Sequence, residues 1–484
     1  MWSFGYVVLS AARAFDGENL MPLAASKTLS LIKVLKGIAP REELSLAEYL
    51  GSIPKLDSLS SLPSGTPVLV RGDVDAKVGA ELGEGDIRLR SMKSTLEFGV
   101  KKGFKQVIFG HLGRKQKDKP IGSLAKVAAR IGKILGTEVA LITDWLDEAT
   151  FTIKPAVEEQ IAAAAPGSVL VLENVRAYDI ETVLWKAKDD ALAPIAENLT
   201  TLANSFAERV AKVYVNEALS AGSLDASSTI IPLAMEKVAL GNYIASEFEG
   251  PMMDCMKAKM VIFSGIKIDK LDDLDAMIQR GTISTIISAG SLAMALKKAD
   301  AQLSGGDFCL GVTEDPAHSD KPYYIPPDRI EQAKRMIAAG KAQGIEFVLP
   351  VDFKLADESV VTTMKPGDQQ FDIGPGTIAH FQERIGQFIA AQGGKPVGVF
   401  HNGVFGMFED PRFEAGTKAF IAELNRMTKA GLKVYVGGGE GGTALERYGQ
   451  PDWVTHCFTA GGTVLNALGS EPVPYLVALR AAAN

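Results

Sequence analysis

Cysteine is scarce in this chain: three residues, Cys255, Cys309 and Cys457, in 484. No CxxC spacing occurs, which argues against a disulfide framework or a zinc site, and an odd, sparse count suits a reducing compartment. Long hydrophobic runs are also missing. Charge, Gly or Pro interrupts every apolar stretch before the ~18–20 residues that a membrane helix needs. A basic excess is lacking: Lys+Arg number 51 and Asp+Glu 58, a net charge of −7. That weighs against a nucleic-acid-coating surface. Nor is there a secretory pattern at the start, where Met1-Trp2-Ser3-Phe4-Gly5-Tyr6 precedes the first basic residue, Arg13. The sequence therefore predicts a cytoplasmic protein, with Met21 an alternative start. No HExxH and no Ser-His-Asp set stands out. His318, His380 and His456 read as surface or core residues, the methionines as core filler, and Lys115, Lys117 and Lys119 as a solvated basic loop.

What is present is an ordinary globular composition, 46% hydrophobic and 23% charged. Its length suits two to four domains. From Pro67 onward, short apolar runs alternate with amphipathic stretches such as Ser91–Lys102 and Ile330–Gln343. Strands are predicted at 67–70, 106–109, 168–172, 212–215, 259–263, 285–288, 347–350, 396–400 and 433–436. These runs are continuous rather than alternating, as in strands buried on both faces. The expected class is α/β, with two Rossmann-like parallel-sheet domains joined by a long helix. The predicted division is an extension over 1–60, an N-terminal domain over 61–235, a helix beginning near Ile231 that forms the connection over 236–250, a C-terminal domain over 251–465, and a segment over 466–484 that packs back on the first domain.

Ligands of open α/β sheets bind beyond the carboxyl ends of the strands. There the first half carries Arg71, Asp73 and Asp75, then Gly110-His111-Leu112-Gly113-Arg114, then Glu173-Asn174-Val175-Arg176, then Asn216-Glu217. Arg88 and Arg90 precede a helix. Residues 71–120 hold 12 Lys+Arg against 7 Asp+Glu. Several arginines with a histidine suit a phosphate or carboxylate clamp, since guanidinium donates bidentately to such groups. In the second half, Gly437-Gly438-Gly439-Glu440-Gly441 follows a strand and opens a helix, which frees amides to face a phosphate. Glu440 is placed to hold Mg²⁺ directly or through water.

Taken in order, these segments resemble the phosphoglycerate kinase family over about residues 67–470. The resemblance is carried by VRGDVDAK from Val70, Arg88, GHLGR from Gly110, ENVRA from Glu173, YVNEALSAGSLDASS from Tyr214 and PLAMEK from Pro232. It continues through SGIKIDK from Ser264, SAGSL from Ser288, DIGPGT from Asp372, HNGVFGMFE from His401, FEAGT from Phe413, GGGEGG from Gly437 and AGGTV from Ala460.

The resemblance implies a hinge enzyme, monomeric, that transfers a phosphoryl group between ATP and the carboxylate of 3-phosphoglycerate with Mg²⁺. It implies a substrate side of Asp73, Asp75, Arg88, His111, Arg114 and Arg176. It implies a nucleotide side of Lys267, Asn402, Glu409 and Gly437, Gly438, Gly439, Glu440 and Gly441, with Arg88 and Lys267 catalytic. Departures from the family pattern are specific. Asp75 stands for an Asn, Ser223 and Leu224 for a His and the clamp Arg, Gly376 for a Lys, and His401 for a Trp. The two lysines of SGIKIDK are three apart instead of four. These departures keep open two alternatives: a substrate-shifted kinase, and a non-catalytic member that binds nucleotide or a protein partner and acts as a binding or regulatory protein.

Overall fold

A computed structural model describes residues 21–116, 119–469 and 472–484. Lys117 of the predicted basic loop and residues 1–20 of the predicted extension lie outside the described residues. Six strands form the first sheet: β1 (Pro67–Gly72), β2 (Lys105–Phe109), β3 (Val139–Ile142), β4 (Val169–Leu172), β5 (Val213–Glu217) and β6 (Lys237–Leu240). All are parallel, in the order β3-β4-β2-β1-β5-β6. Successive residues of a strand point to opposite faces. Leu69, Val107 and Leu170 enter one core, and Val68, Val70, Ile108 and Val171 enter the other. That is why the runs are apolar throughout instead of alternating. One face is covered by the helix Leu192–Arg209, whose Phe206 ring sits 5.5 Å from Phe109 and 5.7 Å from Trp145.

The second sheet repeats the plan with β7 (Met260–Gly265), β8 (Thr285–Ala289), β9 (Glu346–Val348), β10 (Gly398–Asn402), β11 (Lys433–Gly437) and β12 (His456–Cys457). Its order is β9-β8-β7-β10-β11-β12, again all parallel. All nine predicted strands are present. Within these two sheets β3, β6 and β12 were not predicted; they are four, four and two residues long.

The predicted helix from Ile231 is corrected. Ile231–Ala234 is a single 3₁₀ turn and Lys237–Leu240 is β6, paired with β5. The Val238-Ala239-Leu240 run is wholly buried, and the ladder it completes outweighs its helical pattern. The connecting helix begins only at Asn242. It passes through a π-helical turn, Phe248–Met252, and ends at Cys255. That wide turn contains Pro251, whose ring cannot fit a regular turn.

Residues 25–35 form a helix against Leu192–Arg209, with Thr200 donating to the Thr28 hydroxyl at 2.6 Å. The C-terminal helix, Pro474–Ala483, packs on Leu46–Ser52, β6 and Ala226–Thr229, all from the first half of the chain. Among the described residues, no helix is long and apolar enough to cross a membrane.

Glu217, at the end of β5, caps the connecting helix by accepting from the Tyr243 amide at 3.0 Å. The helix start favours its anion, but complete burial dominates and pushes its pKa up to about 7. The folded chain thus holds a proton that the unfolded chain releases near the ordinary value. The stability this contributes is complete below the unfolded pKa and is lost as pH rises through about 7. Glu217→Gln is expected to flatten the decline in melting temperature between about pH 5 and pH 8. An unchanged slope would show that the anion is already accommodated.

Candidate active site

The carboxyl ends of β1, β2, β4 and β5 converge on one cluster. Arg71 is fully buried. It donates Nε to Ser227 Oγ at 2.7 Å, Nη1 to the Gly72 carbonyl at 2.8 Å and Nη2 to His111 Nδ1 at 2.8 Å. Because arginine can only donate, His111 accepts at Nδ1 and carries its proton on Nε2. Burial, then the charges of Arg71, Arg176, Arg88 and Arg114, hold the His111 pKa well below its usual value, so the ring is neutral. Arg176 donates Nη1 to the Gly113 carbonyl at 2.8 Å and Nη2 to Asp225 Oδ2 at 3.2 Å, with its guanidinium 4.9 Å from the Trp185 ring.

Asp73 is buried and accepts from Ser220 Oγ at 2.7 Å. Burial raises its pKa, and the nearby Arg88 opposes the rise. Asp75 accepts the Gly113 amide at 2.9 Å. Arg88 Nη1 lies 2.9 Å from the Asp75 carbonyl and 3.0 Å from its carboxylate. Arg114 is exposed at the rim. All six predicted substrate-side residues are therefore neighbours. Arg71 was read from the sequence as a strand-end arginine but was not among the residues that the resemblance assigned to the substrate side. Asp225 was assigned no role, although it was legible as an acid within the altered 223–226 segment.

The ends of β7, β10 and β11 form a second cluster. Asn402 donates Nδ2 to the Gly437 carbonyl at 2.8 Å and accepts from Lys270 Nζ at 3.1 Å. Lys270 also reaches the Ser264 carbonyl at 3.2 Å. Burial lowers its pKa, while Glu440 and Asp273 counter the shift. Lys267, predicted as the catalytic lysine, is exposed on the turn after β7 and forms none of these bonds. With four residues between the strand end at Gly265 and the helix, the lysine that reaches the strand end is Lys270, the first residue of the helix Lys270–Gln279.

Gly438 has φ +100° and lies against Gly461, where a Cβ would come 2.4 Å from the Gly438 Cα. Only glycine allows that approach together with that dihedral. The helix Gly439–Tyr448 follows, and the amides of Gly439, Glu440 and Gly441 in its first turn have no carbonyl to bond within the helix. Glu440 is exposed in that turn. Glu409 is exposed next to Phe408, whose carbonyl accepts from Arg447 Nη1 at 2.9 Å, so it lies toward the other end of the same helix. His401 is buried against Phe420, ring centroids 4.7 Å apart, with neither ring nitrogen hydrogen-bonded. Burial drives its pKa down to about 3, so it is a neutral core residue.

The two clusters meet. Arg88 Nη2 donates to the Thr459 carbonyl at 2.7 Å, and the Tyr243 hydroxyl is 2.9 Å from Thr459 Oγ1. Thr459 lies just before the helix Gly461–Leu468. That helix also touches the first half: Thr463 donates to the Leu219 carbonyl, and Asn466 Nδ2 to the Gly222 carbonyl at 3.2 Å.

No group of three or more His, Cys, Asp or Glu among the described residues is arranged to hold a metal. A single exposed carboxylate at a helix start fits Mg²⁺, which commonly takes one or two protein carboxylates and completes its shell with phosphates and water.

The family model for phosphoglycerate kinase matches residues 60–471. A phosphoglycerate kinase of Synechococcus sp. (strain JA-3-3Ab) is 30% identical over 435 residues, covering 86% of this chain and 95% of that protein. A cytosolic phosphoglycerate kinase of Triticum aestivum is 28% identical over 431 residues, covering 86% and 95%. The solved structure of phosphoglycerate kinase from Pyrococcus horikoshii OT3 shares the fold, with a TM-score of 0.67 at 21% identity, over 89% of this chain and 99% of that one. With both sheets and both clusters inside the matched region, the chain belongs to the phosphoglycerate kinase family.

Proposed function

We propose that the protein catalyses reversible phosphoryl transfer between ATP and the carboxylate of 3-phosphoglycerate, giving 1,3-bisphosphoglycerate and ADP. The observation that carries this reading is the position of Arg88. One guanidinium nitrogen lies on Asp75 in the arginine cluster, and the other on Thr459 at the edge of the glycine cluster. A group transferred between the two clusters would pass beside it.

The arrangement suits the chemistry. The acceptor carboxylate is already a nucleophile, so no general base is needed. Transfer then depends on alignment and on cationic stabilisation of the phosphoryl oxygens. Arg88 and Lys270 are the candidates for that role, and Arg114 is the exposed cation at the substrate rim. The free amides of Gly439, Glu440 and Gly441 would hold nucleotide phosphates, leaving the nucleoside to extend along the helix toward Glu409. Bound Mg²⁺ would neutralise phosphate charge there. Both clusters come from one chain, so the site needs no residue from a second copy, which suits a monomer acting on small molecules. The three unpaired thiols support a cytoplasmic location.

A coupled assay with 3-phosphoglycerate and Mg-ATP tests the reading. Turnover above a no-acceptor control is expected, with Arg114→Ala raising the KM for 3-phosphoglycerate about tenfold for one lost charge-assisted contact. ATP hydrolysis indifferent to 3-phosphoglycerate would refute it.

A further inference from the structure

The arginine cluster already contains anions supplied by the chain. Arg88 holds the Asp75 carboxylate at 3.0 Å. Arg176 holds that of Asp225 at 3.2 Å, and the same oxygen lies 3.8 Å from Arg71 and 3.9 Å from His111. The other Asp225 oxygen accepts from Trp185 Nε1 at 2.9 Å. Asp225 is fully buried, and the Trp185 ring lies over Arg176. One side-chain carboxylate thus occupies the point at which three cationic or hydrogen-bonding groups from three strand ends converge.

This carboxylate is not needed to satisfy the hydrogen bonds of the fully buried Arg71. Arg71 already has Ser227, the Gly72 carbonyl and His111 within 2.8 Å, all closer than Asp225. Nor does the carboxylate hold the local backbone. The Asp225 carbonyl performs that task, accepting the Ser228 and Thr229 amides at 3.1 and 3.0 Å. Its negative charge is felt nearby: Glu181 is pushed up to about 7 by burial and then by Asp225.

We propose that Asp225 is a specificity-determining residue that occupies the substrate's anion position from within and competes with the terminal phosphate for Arg176 and Arg71. The inference rests on reading this cluster as the substrate side. An incoming phosphate must either displace Asp225 from Arg176 or sit beside a second negative charge; both weaken binding of multiply charged acids more than of singly charged ones. The sequence alone suggests only the loss of a clamp, at Leu224. The structure adds an occupant.

Asp225→Asn keeps the shape and the acceptor for Trp185 while removing the charge. Calorimetric titration with 3-phosphoglycerate is expected to show a Kd ten- to a hundredfold lower than in the unaltered protein. Titration with glycerate, which lacks the phosphate, is expected to change less than twofold. A Kd for 3-phosphoglycerate that stays the same or rises, in a variant with an unchanged melting temperature, overturns the proposal. Should Asp225→Asn fail to fold, Trp185→Phe loosens the carboxylate by removing one donor while keeping the ring. It should lower the same Kd two- to fivefold, and no gain there also overturns the proposal. Turnover is measured separately. If Asp225→Asn binds 3-phosphoglycerate more tightly but neither protein transfers phosphate, the competitor role stands and the assigned reaction falls. If neither protein binds 3-phosphoglycerate, both fall.

Discussion

Lys270→Ala is expected to lower kcat by ~10²–10³, or about 3–4 kcal/mol of transition-state stabilisation, the scale measured when one preorganised donor is removed from developing charge. Lys267→Ala is expected to leave kcat within about threefold. The two lysines lie one helical turn apart in sequence, yet their surroundings differ. Lys270 is held on Asn402 and the Ser264 carbonyl, beside the glycine loop, and is largely withdrawn from water. A cation in that setting acts through a lower effective dielectric than one in solvent. It is also positioned before substrate arrives, so its alignment costs little during transfer. Lys267 is exposed and forms no bond to the strand ends. Steady-state kinetics at saturating ATP and 3-phosphoglycerate decide the matter. Equal losses in both variants would mean that the turn after β7 rearranges on binding and brings Lys267 inward. A loss confined to Lys267→Ala would return the catalytic role to that residue.

The choice between those lysines shows where the sequence was legible and where it was not. The nine predicted strands announce themselves because a doubly buried parallel strand has no alternative to a continuous apolar run. β6 does not, because Lys237–Leu240 follows a proline-containing helical turn and reads as its continuation. Only the paired edge of β5 makes it a strand. β12 has two residues, too few for any periodicity. That the six residues assigned to the substrate side would be neighbours was legible because they stand at or near strand ends, and topology brings strand ends together. The lysine was not, because a three-residue spacing leaves open which side chain turns inward. Asp225 was legible as a substitution but not as a ligand. Its meaning depends on Arg176, Arg71 and His111, which are 49, 154 and 114 residues away in sequence and arrive from three other strands.

Arg88→Ala is expected to lower kcat by ~10³, at the lower end of what a charge-stabilising arginine contributes in phosphoryl transfer, with the KM for ATP changed less than about threefold. Arg88 is the one substrate-side residue bonded to the Thr459 carbonyl, so its loss removes a cation and a contact between the halves together. The effect should therefore fall on kcat, where closure and charge stabilisation are felt, and not on nucleotide affinity, which the proposed function assigns to the glycine loop. Arg88→Lys separates the two contributions. Lysine restores charge, but its ammonium has no planar fork and cannot reach Asp75 and the Thr459 carbonyl at once in the same geometry. If only charge mattered, Arg88→Lys would recover most of kcat. If the bridge matters as well, it would recover about a tenth or less, as expected for a step that is sensitive to sub-ångström placement. A variant that loses affinity for 3-phosphoglycerate but keeps its kcat would place Arg88 in binding alone, and would leave Lys270 as the only cation from this chain assigned to the transferred group.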